Sequence, residues 1–305
     1  MKILLIGNTG QVGSELQQTL PKIGEVVSLS RSELDLCDRQ QIQQQISKNK
    51  PDIIVNAAAY TAVDKSETEP DLAMEINAHA PKAIAIAARD IDAKVLHIST
   101  DYVFDGQNYT PYKETDPTNP LGVYGKSKLL GEQGVRGNCD RHIILRTAWV
   151  YGAQGHGNFV KTMLRLGAER EELKVVADQI GSPTWSYDIA GAIANLLSES
   201  LHDPSINGTY HFTNSGVASW YDLAVATFAE AKQLGFCLKI ERVLPISTAE
   251  FPTPTQRPHY SVLSKAKIVK TLGVYPPHWR ESLKQMLAQW QGLQEEQKVE
   301  NFKRQ

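Results

Sequence analysis

Residues 3–16 read ILLIGNTGQVGSEL, and the three glycines in this stretch decide what kind of fold follows. The apolar run before Gly7 predicts a strand, and the period of the residues behind it predicts a helix, with Gly7, Gly10 and Gly13 at the junction. A tight turn needs a residue without a Cβ. A pyrophosphate needs backbone N–H groups that no side chain covers, and a helix packed close on a strand needs a small residue at the contact. Gly7, Gly10 and Gly13 meet those demands, and with Thr9, Gln11 and Val12 they are the candidate cofactor contacts of the turn. A turn that merely needs glycine has the same local sequence, so the strand–turn–helix context at the head of the chain is what favours a dinucleotide.

To about residue 150, short β-branched runs (KILLIG, EVVSL, DIIVNAAA, KVLHIS, HIILRT) alternate with stretches of helical period such as QVGSELQQTL and DLAMEINAHAPKAIAIAARD. Strands that read as continuous apolar runs are buried on both faces, so the alternation predicts an α/β fold, a doubly wound parallel sheet of Rossmann-like type. Asp38 before RQQIQQQI, and Pro70 with Asp71 before the Ala-rich helix, are helix starts. Residues 1–150 are thus expected to form a dinucleotide-binding domain. Residues 151–305, richer in Pro and in short elements, are expected to form a smaller, mixed α/β C-terminal substrate-binding portion interleaved with it. The last ten or so residues of the polar tail are expected to fray.

Composition removes several function classes. The chain has 305 residues and a formal net charge of −2, with no block of basic residues, so no footprint for nucleic acid is present and a small-molecule partner is expected. Nothing approaches a membrane span, and the apolar start is too short for a secretory signal. Cys37, Cys139 and Cys237 show no metal or disulfide spacing and the eight His are scattered, so no catalytic metal is expected and a reducing cytoplasm fits best.

The end of the second strand lies where an adenine ribose would sit, and there VVSLSRSELDL offers Arg31 and no acid before Glu33. A guanidinium pairs with a 2′-phosphate, so NADPH is expected to be preferred, with NADH possible. Asp35 and Leu36 would flank the adenine. Ala59, Tyr60 and Thr61, behind the third strand, would let the cofactor lie close. Tyr124 and Lys128, four apart on one helix face in NPLGVYGKSKLLGE, address a common ligand. At about 4 Å and an effective dielectric of about 20, an ammonium stabilises a phenolate by roughly 4 kcal/mol. That is up to about three pKa units, so Lys128 is expected to tune Tyr124 into working range and also to hold the cofactor's ribose. A strand ending in Ser99 and Thr100, in VLHISTDYVFDG, adds a hydroxyl able to hold a carbonyl oxygen while Tyr124 protonates it.

Together these motifs resemble the dTDP-4-dehydrorhamnose reductases, a family of the extended short-chain dehydrogenase/reductases. The resemblance runs essentially end to end, through GNTGQVGSEL, PDIIVNAAAYTAVDKSE, STDYVFDG, NPLGVYGKSKLLGE, RTAWVYG, VVADQIGSPTW and PTPTQRPHYSVLS. It implies hydride transfer to the C4 ketone of a nucleotide sugar, with Tyr124 as proton donor, Thr100 and Asp101 on the sugar, Trp149 beside it and Arg257 at the pyrophosphate. Some members are described with Mg²⁺ bridging a homodimer through carboxylates. Here only Glu15 stands at a matching place, and Tyr187 and Asp188 follow GSPTW instead of a plain Glu. Dehydratases of the superfamily carry an Asp–Glu pair after the hydroxyl, where this chain has Asp101 and Tyr102. Epimerases, and a non-catalytic regulatory subunit on the same scaffold, are the remaining alternatives; the last would be favoured by loss of the Tyr, Lys or hydroxyl.

Overall fold

The five apolar runs of the first half are strands: β1 (Lys2–Ile6), β2 (Glu25–Leu29), β3 (Ile53–Asn56), β4 (Lys94–Thr100) and β5 (His142–Thr147). This computed structural model describes residues 1–155 and 157–303, and for 297–303 the backbone alone. A sixth strand, Gly208–His211, arrives from the second half and pairs with β5, giving the order Gly208–His211, β5, β4, β3, β1, β2. All five pairings are parallel. β3 and β5 are buried at every residue, as their unbroken apolar sequences require. β2, at the edge, mixes polar residues in and is largely half-exposed.

Parallel strands need crossovers, and the helices that make them cover both faces. They are α1 (Gln11–Thr19), α2 (Arg39–Asn49), α3 (Pro70–Met74), α4 (Ala80–Asp90), α5 (Val123–Arg136), α6 (Phe159–Glu169), α7 (Ser186–His202), α8 (Trp220–Gln233), α9 (Ala266–Leu272) and α10 (Trp279–Lys303). On one face, Leu16 of α1 and Ile189, Ile193 and Leu197 of α7 pack on Leu5, Val55 and Leu145. On the other, Ile42 and Ile46 of α2, Ile84 and Ala88 of α4 and Val135 of α5 pack on Leu4, Ile54 and Ile144. Each such buried aliphatic side chain contributes roughly 1.5–3 kcal/mol. A third cluster, built on Tyr151, Leu164, Leu223, Leu283 and Met286, joins α6, α8 and α10 beside the sheet.

Helix starts follow the sequence at Asp38, whose carboxylate accepts from the Gln40 and Gln41 N–H groups. The Ala-rich stretch departs from one continuous α-helix: α3 passes into α4 through a π turn, Glu75–His79. The expected fraying of the tail concerns residues of which 304 and 305 lie outside those described; the backbone is helical to Lys303.

Candidate active site

The carboxyl ends of β1, β3, β4 and β5 open on a cleft of about 780 Å³. That is the crevice outside the strand ends where the chain winds to opposite sides of β1, the usual ligand position of an open α/β sheet. Gly7 holds φ at +87°, and a Cβ there would meet the Ala58 backbone at 2.7 Å. A Cβ on Gly13 would run into the Gly7 carbonyl oxygen, so this glycine seats α1 on β1 from beneath and does not line the cleft. Gly10 caps α1 without any side-chain bond, which leaves the first-turn N–H groups open to an anion. Thr9, Gly10, Gln11 and Val12 line the cleft, and Asn158 reaches across to donate to the Gln11 Oε1 at 2.8 Å.

Past the end of β2, Arg31 and Asp35 are exposed on the rim of the cleft, with Leu36 buried beside them. The nearby acid is bent back on its own exposed loop: Glu33 accepts from the Ser30 N–H at 2.8 Å and from its hydroxyl at 2.7 Å, and these bonds lower its pKa. Ala59, Tyr60 and Thr61 line the wall behind β3. The Tyr60 phenol donates to Glu69 at 2.7 Å, which raises its pKa, and its backbone N–H donates to Asn77 at 2.8 Å.

The cleft floor carries Thr100, Asp101, Tyr124 and Lys128, all buried. Thr100 Oγ1 donates to Asp101 Oδ1 at 3.0 Å and accepts from the Tyr102 N–H at 3.2 Å. Burial pushes Tyr124 well above the ordinary phenol value, and the Thr100 side chain opposes this only in part. Burial also brings Lys128 down to about 8. Its Nζ donates to the Ile98 carbonyl at 2.7 Å and lies 3.5 Å from His97 Nε2. This corrects one sequence expectation. Tyr124 and Lys128 share the cleft as their spacing requires, but the ammonium does not draw the phenol toward neutrality, because Lys128 is turned to β4 and the phenol is desolvated. Behind them Glu132 and Arg146 form a buried two-bond ion pair at 2.8 and 2.7 Å that locks α5 to β5.

Trp149 stands at the far wall with φ +48°, a left-handed conformation that strains a bulky side chain. Its ring stacks on Trp220 with centroids 3.6 Å apart and planes 4° from parallel. Trp220 was not evident from the sequence; it lies 71 positions further along, at the start of α8, and no spacing rule links the two. Asn158 and Phe159 were missed for the same reason. Arg257 reaches the cleft while its Nη2 pairs with Asp64 at 2.7 Å, so part of its charge is already engaged.

Glu15 is buried beneath α1, where desolvation raises its pKa. Asp188 accepts from Asn214 at 2.7 Å and Ser282 at 2.6 Å, and Tyr187 stacks on Trp185. Among the described residues of this one chain, no group of three or more His, Cys, Asp or Glu could hold a metal ion. Nor, among the described residues, is any helix long and apolar enough to cross a membrane.

Comparison with known proteins agrees with this geometry. Residues 1–291 match the RmlD substrate binding domain. The chain is 44% identical to a dTDP-4-dehydrorhamnose reductase of Escherichia coli (strain K12), an alignment covering 94% of this chain and 97% of that one. A crystal structure of a dTDP-4-dehydrorhamnose reductase from Clostridium acetobutylicum superposes with a TM-score of 0.88 at 41% identity, covering 95% and 100% of the two chains. Another from Bacillus anthracis, in complex with NADP, gives 0.86 at 39% identity, covering 94% and 99%. With a floor of Thr100, Tyr124 and Lys128 under a glycine turn, and likeness running over nearly its whole length, the chain belongs to the RmlD family, among enzymes named dTDP-4-dehydrorhamnose reductase.

Proposed function

We propose that the protein reduces the C4 ketone of dTDP-4-dehydro-β-L-rhamnose to dTDP-β-L-rhamnose, with NADPH preferred over NADH. The observation that carries this reading is the buried Thr100–Asp101 pair beside the Tyr124 phenol at the carboxyl ends of the central strands. NADPH, when bound, supplies the hydride. The glycine turn and the open first turn of α1 would hold its pyrophosphate, and Arg31 its 2′-phosphate, with Glu33 turned away into its own loop. Asp35, Leu36, Ala59, Tyr60 and Thr61 would flank it.

A ketone that receives a hydride needs a proton on oxygen. Tyr124 enters the reaction protonated, as a phenol is near neutral pH, and Thr100 holds the carbonyl oxygen within reach of it. Asp101 and Trp149 take the sugar, with Trp220 closing the wall, and Arg257 takes part of the diphosphate charge. Lys128 holds the nicotinamide ribose. Residues 1–150 then carry mainly the cofactor and 151–305 mainly the substrate. Tyr102 stands where a dehydratase would need a carboxylate base, and burial raises its phenol to about 12, which disfavours elimination of water. We place the enzyme in the cytoplasm, where its three thiols stay reduced.

The test follows NADPH absorbance with dTDP-4-dehydrorhamnose generated in situ, against the UDP-linked ketone and NADH. Ketone-dependent oxidation of NADPH with the dTDP sugar is expected. Cofactor binding without such oxidation would instead favour a binding subunit on a reductase scaffold.

A further inference from the structure

The stretch VVADQIGSPTW has no part in the reaction as described, and the structure gives it one around Trp149. Ile180–Gly181 pairs antiparallel with Ala218–Ser219, with Gly181 opposite Ala218. That pairing sets the Gly181 backbone close to the start of α8, where Ser219 and Asp222 form a capping box and Trp220 is the first helical residue. The Trp149 ring lies between the two. Trp220 covers one face, with centroids 3.6 Å apart and planes 4° from parallel. A Cβ on Gly181 would strike the ring-fusion atom Cε2, coming closer to it than to the two atoms bonded to it at that edge, Nε1 at 2.6 Å and Cζ2 at 2.8 Å. An approach in the ring plane would meet those two first, so Gly181 lies over a face, and it is the face that Trp220 leaves. Only a residue without a side chain fits there.

Trp220 is itself held. Its Nε1 donates to Gln179 Oε1 at 3.1 Å, and the buried Gln179 donates from Nε2 to Thr248 Oγ1 at 3.1 Å. Thr248 in turn donates from its hydroxyl to Asp178 at 2.6 Å, so the chain of donors runs one way and ends on a carboxylate. Trp149 has no such anchor: its Nε1–H has no partner among the described residues and is not sealed from solvent. With both faces covered, Trp149 shows the cleft its edge. The edge of an aromatic ring is its positive region, and on an indole it carries one N–H that only donates. A bulky residue keeps φ at +48° only where its surroundings over-determine it, and this slot does so.

We propose that Gln179, Gly181 and Trp220 are positioning residues that hold Trp149 edge-on, so that its indole N–H donates to an oxygen of the sugar and its π face takes no part. The ligand class is a sugar that presents a hydroxyl or carbonyl oxygen at this wall. An analogue lacking that oxygen leaves the donor unpaired and is rejected more strongly than its shape alone requires. This inference rests on the reading of Trp149 as a sugar contact in the proposed reaction.

The experiment follows the indole ¹H–¹⁵N signals of the full chain, labelled in its five Trp, on addition of dTDP-L-rhamnose with NADP⁺. Trp149→Phe and Trp220→Phe assign the two signals. The Trp149 N–H is expected to move downfield and to exchange more slowly with water, while the Trp220 N–H, already bonded to Gln179, stays near its place. In kinetics, Trp149→Phe keeps a ring in the slot but loses the donor, and should raise KM for the sugar ketone about threefold to tenfold while KM for NADPH does not follow. Trp220→Leu should raise the same KM, and Trp220→Phe, which restores an aromatic plate, should recover most of it. A sugar that binds by calorimetry without moving the Trp149 signal, or a wild-type sugar KM in Trp149→Phe, overturns the proposal and leaves the reductase reading standing; the first of these needs no variant of the slot to fold. Absence of both dTDP-rhamnose binding and ketone-dependent NADPH oxidation overturns the reductase reading and the proposal with it.

Discussion

Replacing Asp101 by Asn removes a carboxyl that the fold holds at a cost. Burial raises its pKa from 3.8 to about 6, against the opposing pull of hydrogen bonds from Ser261 and Thr100. The folded protein thus binds this proton more tightly than the unfolded chain does. The stability it lends is present below the unfolded value and is lost as pH rises through the folded one. A rise of that size corresponds to about 3 kcal/mol over the whole window, of which about 1.4 kcal/mol falls between pH 7.5 and pH 5. Asp101→Asn should therefore be the more stable protein at pH 7.5, and its advantage should shrink by about 1.4 kcal/mol at pH 5. Urea unfolding of both proteins at the two pH values measures this, because every other titrating group cancels in the difference. An advantage that is the same at both values, within a few tenths of a kcal/mol, would refute the assignment of a desolvated carboxyl at this position.

Tyr124→Phe should lower kcat by about 10²–10⁴ while NADPH affinity, measured by fluorescence titration, stays near wild type; full kcat would remove Tyr124 as the acid. Arg31→Ala should cost selectivity for NADPH over NADH, read as the ratio of kcat/KM values, and an unchanged ratio would sink the 2′-phosphate contact. Arg146→Met removes both short bonds to the buried Glu132 and leaves its charge only the 3.5 Å contact with Arg136, so it should destabilise the protein by roughly 3 kcal/mol; the double variant with Glu132→Leu should recover most of that loss.

The glycine turn, the strands and the floor residues were legible because each rests on a local rule. A run such as IIVN can only be a buried strand when both neighbours are strands too, and a residue at the end of β4 falls at the crevice whatever its crossovers do. The direction of Lys128 was not legible. Helical spacing sets which face a side chain leaves from, not whether it then bends toward Tyr124 or back to the Ile98 carbonyl. GTYHFTN reads as a strand, yet its place next to β5 is a pairing across some 60 residues with no local trace. The π turn has no sequence signature comparable to a cap, and the Trp149–Trp220 stack joins segments that only the tertiary fold brings together.

That π turn has a mechanical reach beyond its five residues. Asn77, within it, accepts from the Tyr60 N–H at 2.8 Å, donates to the Tyr60 carbonyl at 3.0 Å, and donates to Ser127 Oγ at 3.1 Å. One amide thus rivets the cofactor-side wall to α5 at the residue next to Lys128. Asn77 itself does not line the cleft, so this junction between the wall behind β3 and α5 lies out of reach of any ligand in it. Losing that one amide would loosen the wall behind β3 from α5 while leaving every residue that lines the cleft unchanged.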